Sequence, residues 1–291
     1  MKKLLIVSFI AALICFLNPA EASCAECGSI TYTVIDGEVT VTGYTGAPEI
    51  IEIPQFIEGI PVTSVRDNAF YCCTSLRKMI LPDTVRNMGH HCFYGCTGLE
   101  EITLPARLSE LGMGCFEGCA MLKKVQLPDT LTVIPDSCFR RCSSLTTVII
   151  PQNVTDIEKF CFCACTSLYY VSFGGRLKTV GTGAFYQCTV LDTVYIPPSV
   201  TDIGAEALGY TTGGKSTGMT VIGERGSAAE EYAKDNGAVF SASPETVQAF
   251  DPAASENAPV KLPPVLAAVG GLLFLLTGLI ALKQTLSGRK R

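Results

Sequence analysis

Across residues 81–208, and back as far as Phe70, apolar positions return every 23 residues, not at the short period of a lone helix or strand. Phe70, Phe93, Phe116, Phe139, Phe162 and Phe185 form one column, which Leu208 closes. Three residues after each Phe stands a Cys: Cys73, Cys96, Cys119, Cys142, Cys165 and Cys188. Three further on stands a Leu: Leu76, Leu99, Leu122, Leu145, Leu168 and Leu191. Pro82, Pro105, Pro128, Pro151 and Pro197 share another column, with Gly174 in the missing place. In one unit Leu99, Ile102 and Leu104 read Leu-x-x-Ile-x-Leu, the last two alternating as on a strand that Pro105 ends. Leu108, Leu111 and Phe116 complete the inward set, and Gly112 and Gly118 are expected at turns. No unit of this size buries its apolar side alone, so each is expected to lie on its neighbours.

Before the array, residues 23–52 read as a β cap. The run TYTVIDGEVTVTGYTG alternates β-branched and polar residues around Asp36-Gly37, a hairpin signal. The array itself is placed at 53–210. Its first unit is longer, with Pro54 standing 28 residues before Pro82. Residues 211–243 are expected to form a small C-terminal cap, where Ser227 caps a short helix whose Ala and Tyr face covers the last coil. Residues 244–264 are rich in Ser, Pro, Ala and Glu without apolar periodicity and read as a stalk linker.

Two apolar runs lie at the ends. Residues 1–22 read as a secretory signal: Lys2 and Lys3, an apolar run, then Ala20-Glu21-Ala22. A lipoprotein signal ending before Cys24 is the rival, and Glu21 sits where such a signal wants an aliphatic residue. Residues 265–282 carry no charge and as a helix would be about 27 Å long, enough to span a bilayer. The tail 283–291 holds Lys283, Arg289, Lys290 and Arg291, so it is expected in the cytoplasm and the bulk of the chain outside. This end also resembles a Gram-positive cell-wall sorting signal, starting at Leu262-Pro263. The Thr-Gly that a sortase would cleave is missing, so the run is read as an uncleaved transmembrane helix.

The repeating motif is I/L-P-x-x-V-x-x-I-x-x-x-A/C-F-x-x-C-x-x-L-x-x-V. It resembles the leucine-rich repeats of BspA-like bacterial surface proteins, over roughly residues 27–240. The resemblance implies a mainly β leucine-rich-repeat solenoid of about seven 23-residue coils. It also implies extracellular contact with host matrix proteins or other cells.

Composition narrows the chemistry. A net charge of −5 argues against nucleic acid, which needs a basic footprint. Fourteen of the 15 Cys follow the signal, and Cys92, Cys115, Cys138 and Cys161 make a second column just before Phe. Buried packing, disulfides and metal ligation are all open to them. Ala69 and Ala184 in that second column favour packing, because a pairing or ligating position does not tolerate Ala. His90 and His91, beside Cys92 and Cys96, tempt a metal reading, but those Cys belong to columns that run on without His. A solvated His pair is expected instead. No His-based triad, phosphate loop or cofactor motif stands out, so no cofactor and no enzyme activity are expected.

The outward strand positions are Arg77/Lys78, Glu100/Glu101, Lys123/Lys124, Thr146/Thr147, Tyr169/Tyr170 and Asp192/Thr193. The first three pairs alternate in sign, which places plus beside minus on neighbouring strands. Beyond Lys124 the charges stop until Asp192, and Ile149, Tyr169, Tyr170 and Tyr195 take outward positions. These four form the candidate ligand-binding face, since Tyr on a rigid array supplies contact area at low entropy cost. Ordinary strand propensity also explains them. The expected function is binding of a protein or cell-surface ligand. A structural envelope spacer and a secreted enzyme are the alternatives.

Overall fold

The computed structural model describes residues 25–27, 29–211, 214–215 and 218–242. The signal at 1–22, the stalk at 244–264, the apolar run at 265–282 and the tail at 283–291 lie outside the described residues. No helix among the described residues is long and apolar enough to cross a membrane.

The described chain is a mainly β solenoid of about 9 turns with one short helix. Each coil of the array has three sides. On the first, parallel strands stack as Ile50–Glu52, Lys78–Ile80 and Glu101–Thr103. A single bridge from Lys124 to Thr147 carries the stack on to Thr147–Ile149 and Tyr170–Ser172. Thr193–Tyr195, Thr220–Gly223 and Val239–Ala242 continue it. On the second side Glu38–Tyr44, Ile60–Val65, Asn87–Met88 and Glu110–Leu111 stack in parallel. Val133–Ile134, Asp156–Ile157, Thr179–Val180 and Asp202–Ile203 follow.

The third side has no strands, yet its backbone is bonded just as regularly. The amides of Asn68, Phe70 and Cys72 donate to the carbonyls of His90, Cys92 and Tyr94, and the same three bonds recur in later coils. The chain can present amides this way because the residues two before and two after each Phe are left-handed. Asn68 (φ 58°) and Cys72 (φ 55°) flank Phe70, and Ser137 (φ 56°) and Arg141 (φ 61°) flank Phe139. Gly118 (φ 76°) is one of these turn residues, as expected. Gly112 is not. It lies where coils approach, and a Cβ there would stand 2.3 Å from the Gly89 carbonyl carbon.

The Phe column is the spine of the core. Successive rings from Phe70 to Phe185 stack with centroids 5.0, 5.5, 5.3, 5.4 and 5.2 Å apart, all nearly parallel. Their spacing is that of the coils, because one ring fills each turn of a stack set by strand pairing. The Leu column is buried beside them.

The ends explain why the count exceeds seven. The hairpin Ile30–Ile35 and Glu38–Tyr44 turns at Asp36 and Gly37 (φ 53° and 78°), and its second strand joins the array in parallel with Ile60–Val65. Tyr44 then supplies one more ring, 5.8 Å from Phe70. At the other end, strands Thr220–Gly223 and Val239–Ala242 add turns that lack the Phe and Cys columns. The helix Ala228–Asn236 buries Ala229, Tyr232 and Ala233. Ser227 stands at its N-cap but makes no side-chain cap bond. Its hydroxyl instead donates to the Glu224 carbonyl at 2.6 Å, while its own carbonyl takes the Glu230 and Glu231 amides.

Candidate functional site

The outer surface of the first side is built by strand alternation. In Tyr170–Ser172 the middle residue Val171 points into the core, which turns Tyr170 and Ser172 outward. Pairing sets Tyr170 beside Thr147 and Ser172 beside Ile149. Tyr195 stands one coil further in the column of Ile149 and Ser172, so Ser172 lies between Ile149 and Tyr195. The four candidates therefore share one face over three successive coils but occupy three different columns. Tyr169 and Ile149 are 56% and 52% exposed and Tyr170 37%, so they offer free apolar area. Tyr195 is only half-buried, because strand Thr220–Gly223 pairs directly beside it. Burial raises its phenol pKa, and Glu224 adds to the shift.

The opposite end of this face is charged and internally matched. Glu100 accepts from Arg77 and from Lys123, each at 3.3 Å, and Lys78 meets Glu101 at 2.9 Å. These are pairs between neighbouring coils, as the alternating signs predict. The hydrogen bond from Lys78 holds the Glu101 carboxyl below its usual range.

The thiols are packing groups with a directed hydrogen bond. Cys96, Cys119, Cys142, Cys165 and Cys188 donate to the carbonyls of Phe70, Phe93, Phe116, Phe139 and Phe162 at 3.0–3.2 Å. In the second column Cys92 and Cys115 lie 3.3 Å apart, sulfur to sulfur. Burial pushes these thiols up, Cys96 to about 12, which keeps them protonated and poor nucleophiles. Among the described residues no three His, Cys, Asp or Glu side chains gather as a metal site.

The His pair is not simply solvated. His90 Nδ1 accepts the Met113 amide at 2.9 Å, and its own amide donates to Asp67. The His91 ring lies over Gly114, where a Cβ would fall 2.2 Å from Nδ1, and meets Tyr94 edge-on. Sequence patterning missed this because the column two residues before Phe carries Asn, His, Gly, Ser and Phe in successive coils, with no shared chemistry to reveal it.

The family described as BspA type leucine rich repeat region matches residues 63–181 and 89–215, in six copies. Among solved structures the chain is similar to a leucine rich cell surface protein from Faecalibacterium prausnitzii A2-165, with 28% identity and a TM-score of 0.61. That likeness covers 71% of this chain and 56% of the other, so the chain spans little more than half of that protein's length. It is also similar to the leucine rich repeat protein TpLRR of T. pallidum, with 25% identity and a TM-score of 0.56, over 75% of this chain and 98% of that one. A leucine-rich repeat protein from Eubacterium ventriosum ATCC 27560 shares the fold at 24% identity and a TM-score of 0.58, over 66% and 50% of the two chains. No curated protein matches the chain.

Proposed function

Because the chain belongs to the BspA type leucine rich repeat family, we propose that it is a non-enzymatic cell-surface protein that binds a protein partner through the aromatic end of its first strand side. The observation that carries this is the break in surface chemistry along one rigid face. Up to Lys123 the charges are matched across coils, and exposed ion pairs of that kind contribute little to binding. Beyond it the same face exposes Ile149, Tyr169 and Tyr170, residue types that anchor interfaces when a partner covers them. The partner is therefore a protein surface with its own apolar patch, on host matrix or on another cell. Residues 265–282 serve as the membrane anchor in this reading, with the array outside.

The test is attachment of cells displaying the full chain to immobilised matrix proteins. Saturable retention above that of cells lacking the chain supports adhesion. Retention that never saturates on any protein surface leaves the chain as a spacer and overturns the proposal.

A further inference from the structure

The third side of the array holds a cleft of about 320 Å³ whose walls come from three successive coils. Arg140, Cys163 and Tyr186 occupy one column, each directly after a core Phe, and Arg141, Phe160, Ala164 and Gln187 complete the wall. This volume is at the lower end of what small-molecule sites enclose.

Four wall residues, Arg141, Phe160, Ala164 and Gln187, have a left-handed backbone, and Phe160 and Arg141 are the bulkiest of them. Phe160 has φ 55° and Arg141 φ 61°, a region in which a side chain beyond Cβ is strained. The coil geometry imposes this conformation in every turn. Elsewhere the first column holds Asn68, His91, Gly114, Ser137 or Gly183, and the second Cys72, Gly95, Gly118, Ala164 or Gln187. Phe160 is strained and also leaves its ring 37% exposed. That ring lies against Gly183, where a Cβ would stand 2.5 Å from Cε1, so the next coil is cut back to seat it. Phe160 and Arg141 are both exposed rather than part of the core, and both meet at one cleft.

The charge in the cleft has a sign. Arg140 reaches Glu117 at 3.6 Å through Nη1, which leaves its Nε buried without a partner. Arg141 makes no ion pair among the described residues. Burial holds the Cys163 thiol above its ordinary pKa, so it adds no negative charge. Two guanidiniums thus face one carboxylate, beside the rings of Phe160 and Tyr186.

We propose that this cleft binds a ligand in which a carboxylate adjoins an aromatic or apolar body, either a free organic acid or the C-terminal residue of a peptide. The apolar body lies on Phe160 and Tyr186. The carboxylate meets the Arg141 guanidinium, the group best suited to a planar oxyanion, with the guanidinium of Arg140 beside it. This site is on a different side from the Tyr169 face and stands or falls separately.

Calorimetric titration of the full chain in detergent tests it with four probes: phenylacetate, phenylacetamide, the tripeptide Ala-Ala-Phe with a free carboxylate, and its C-terminal amide. At least one acid is expected to bind saturably at ~1 mM or tighter, with its amide at least ~10-fold weaker. Binding by phenylacetate alone assigns the site to free acids, and binding by the tripeptide alone to peptide termini. Phe160→Gly and Arg141→Gly are each expected to weaken binding at least ~10-fold without lowering the thermal midpoint, since Gly is at ease in a left-handed turn. Arg141→Gln keeps the side-chain bulk without the charge and is expected to weaken binding equally, whatever the glycine variants do to stability. Failure of both acids to bind, equal binding of acid and amide, or parental affinity in Phe160→Gly or Arg141→Gln overturns the proposal.

Discussion

Cys142 Sγ donates to the carbonyl oxygen of Phe116 at 3.2 Å, and that same oxygen accepts the Cys119 amide at 3.1 Å. The core Phe of one coil thus fixes two Cys, one in its own turn and one in the next. The bond repeats at each step from Cys96 to Cys188. A thiol fits this role because it is small, packs as a hydrophobe and gives a weak directed donor.

These thiols predict a stability that fails in alkali. Burial raises their pKa in the folded chain, so the folded state keeps protons that the unfolded chain releases above the ordinary thiol value of 9.0. Their contribution is therefore complete below about pH 9 and is lost as pH rises towards the folded value, about 12 for Cys96. Each thiol takes away ~1.4 kcal/mol per pH unit in that window. Thermal midpoints measured from pH 7 to 11 should fall steeply above pH 9, and less steeply for Cys96→Ala. A flat profile there would show that the columns are not buried as thiols.

The 23-residue register was legible because a solenoid repeats both chain geometry and burial, so Phe, Cys and Leu recur at fixed spacing. The two left-handed positions in each turn were not legible, since Asn68, His91, Ser137 and Phe160 share the φ but no side-chain property. The end coils escaped the count because Glu38–Tyr44 and Val239–Ala242 join by backbone pairing, and the ring that Tyr44 adds to the stack is not a Phe at the 23-residue spacing. On the candidate face, alternation identified which side of each strand points outward. It did not reveal that the neighbouring strand Thr220–Gly223 would cover part of Tyr195, because that pairing joins residues outside the regular period.

Phe139→Ala tests the spine. Its ring is fully buried between Phe116 and Phe162, at 5.3 and 5.4 Å. Truncation should cost roughly 3–5 kcal/mol, the range for a buried aromatic whose cavity cannot collapse. Denaturant unfolding checks this, and a variant with the parent's midpoint would mean that the column does not form the core.

Tyr232→Phe tests the C-terminal cap. The Tyr232 hydroxyl donates to the Leu208 carbonyl and accepts the Leu208 amide, both at 2.8 Å. Without it, two buried backbone groups at the end of the Phe column lose their partner, at a cost of ~1–3 kcal/mol. Hydrogen exchange should quicken first in the helix Ala228–Asn236 and the strand Val239–Ala242, with the central coils unchanged. Uniform quickening along the array would show that the cap is not a separate unit.

The binding face makes a prediction that separates aromatic contact from charge. If a partner covers the exposed end of the first side, its binding energy should concentrate on the large side chains there, while solvated charges such as Lys123 contribute mainly at low salt. Replacing Tyr169, Tyr170 and Tyr195 together by Ser should weaken attachment by an order of magnitude or more, ~1.4 kcal/mol or above. The fold should persist, since Tyr169 and Tyr170 lie outside the core and Tyr195 is only half-buried. Circular dichroism of the variant checks that point. Reversing Lys123 and Lys124 to Glu breaks the Glu100–Lys123 pair, yet should change attachment less, and least at high salt. If the triple Tyr variant attaches like the parent while the Lys reversal abolishes attachment, the tyrosines are there for strand propensity and the partner docks on the charged coils instead.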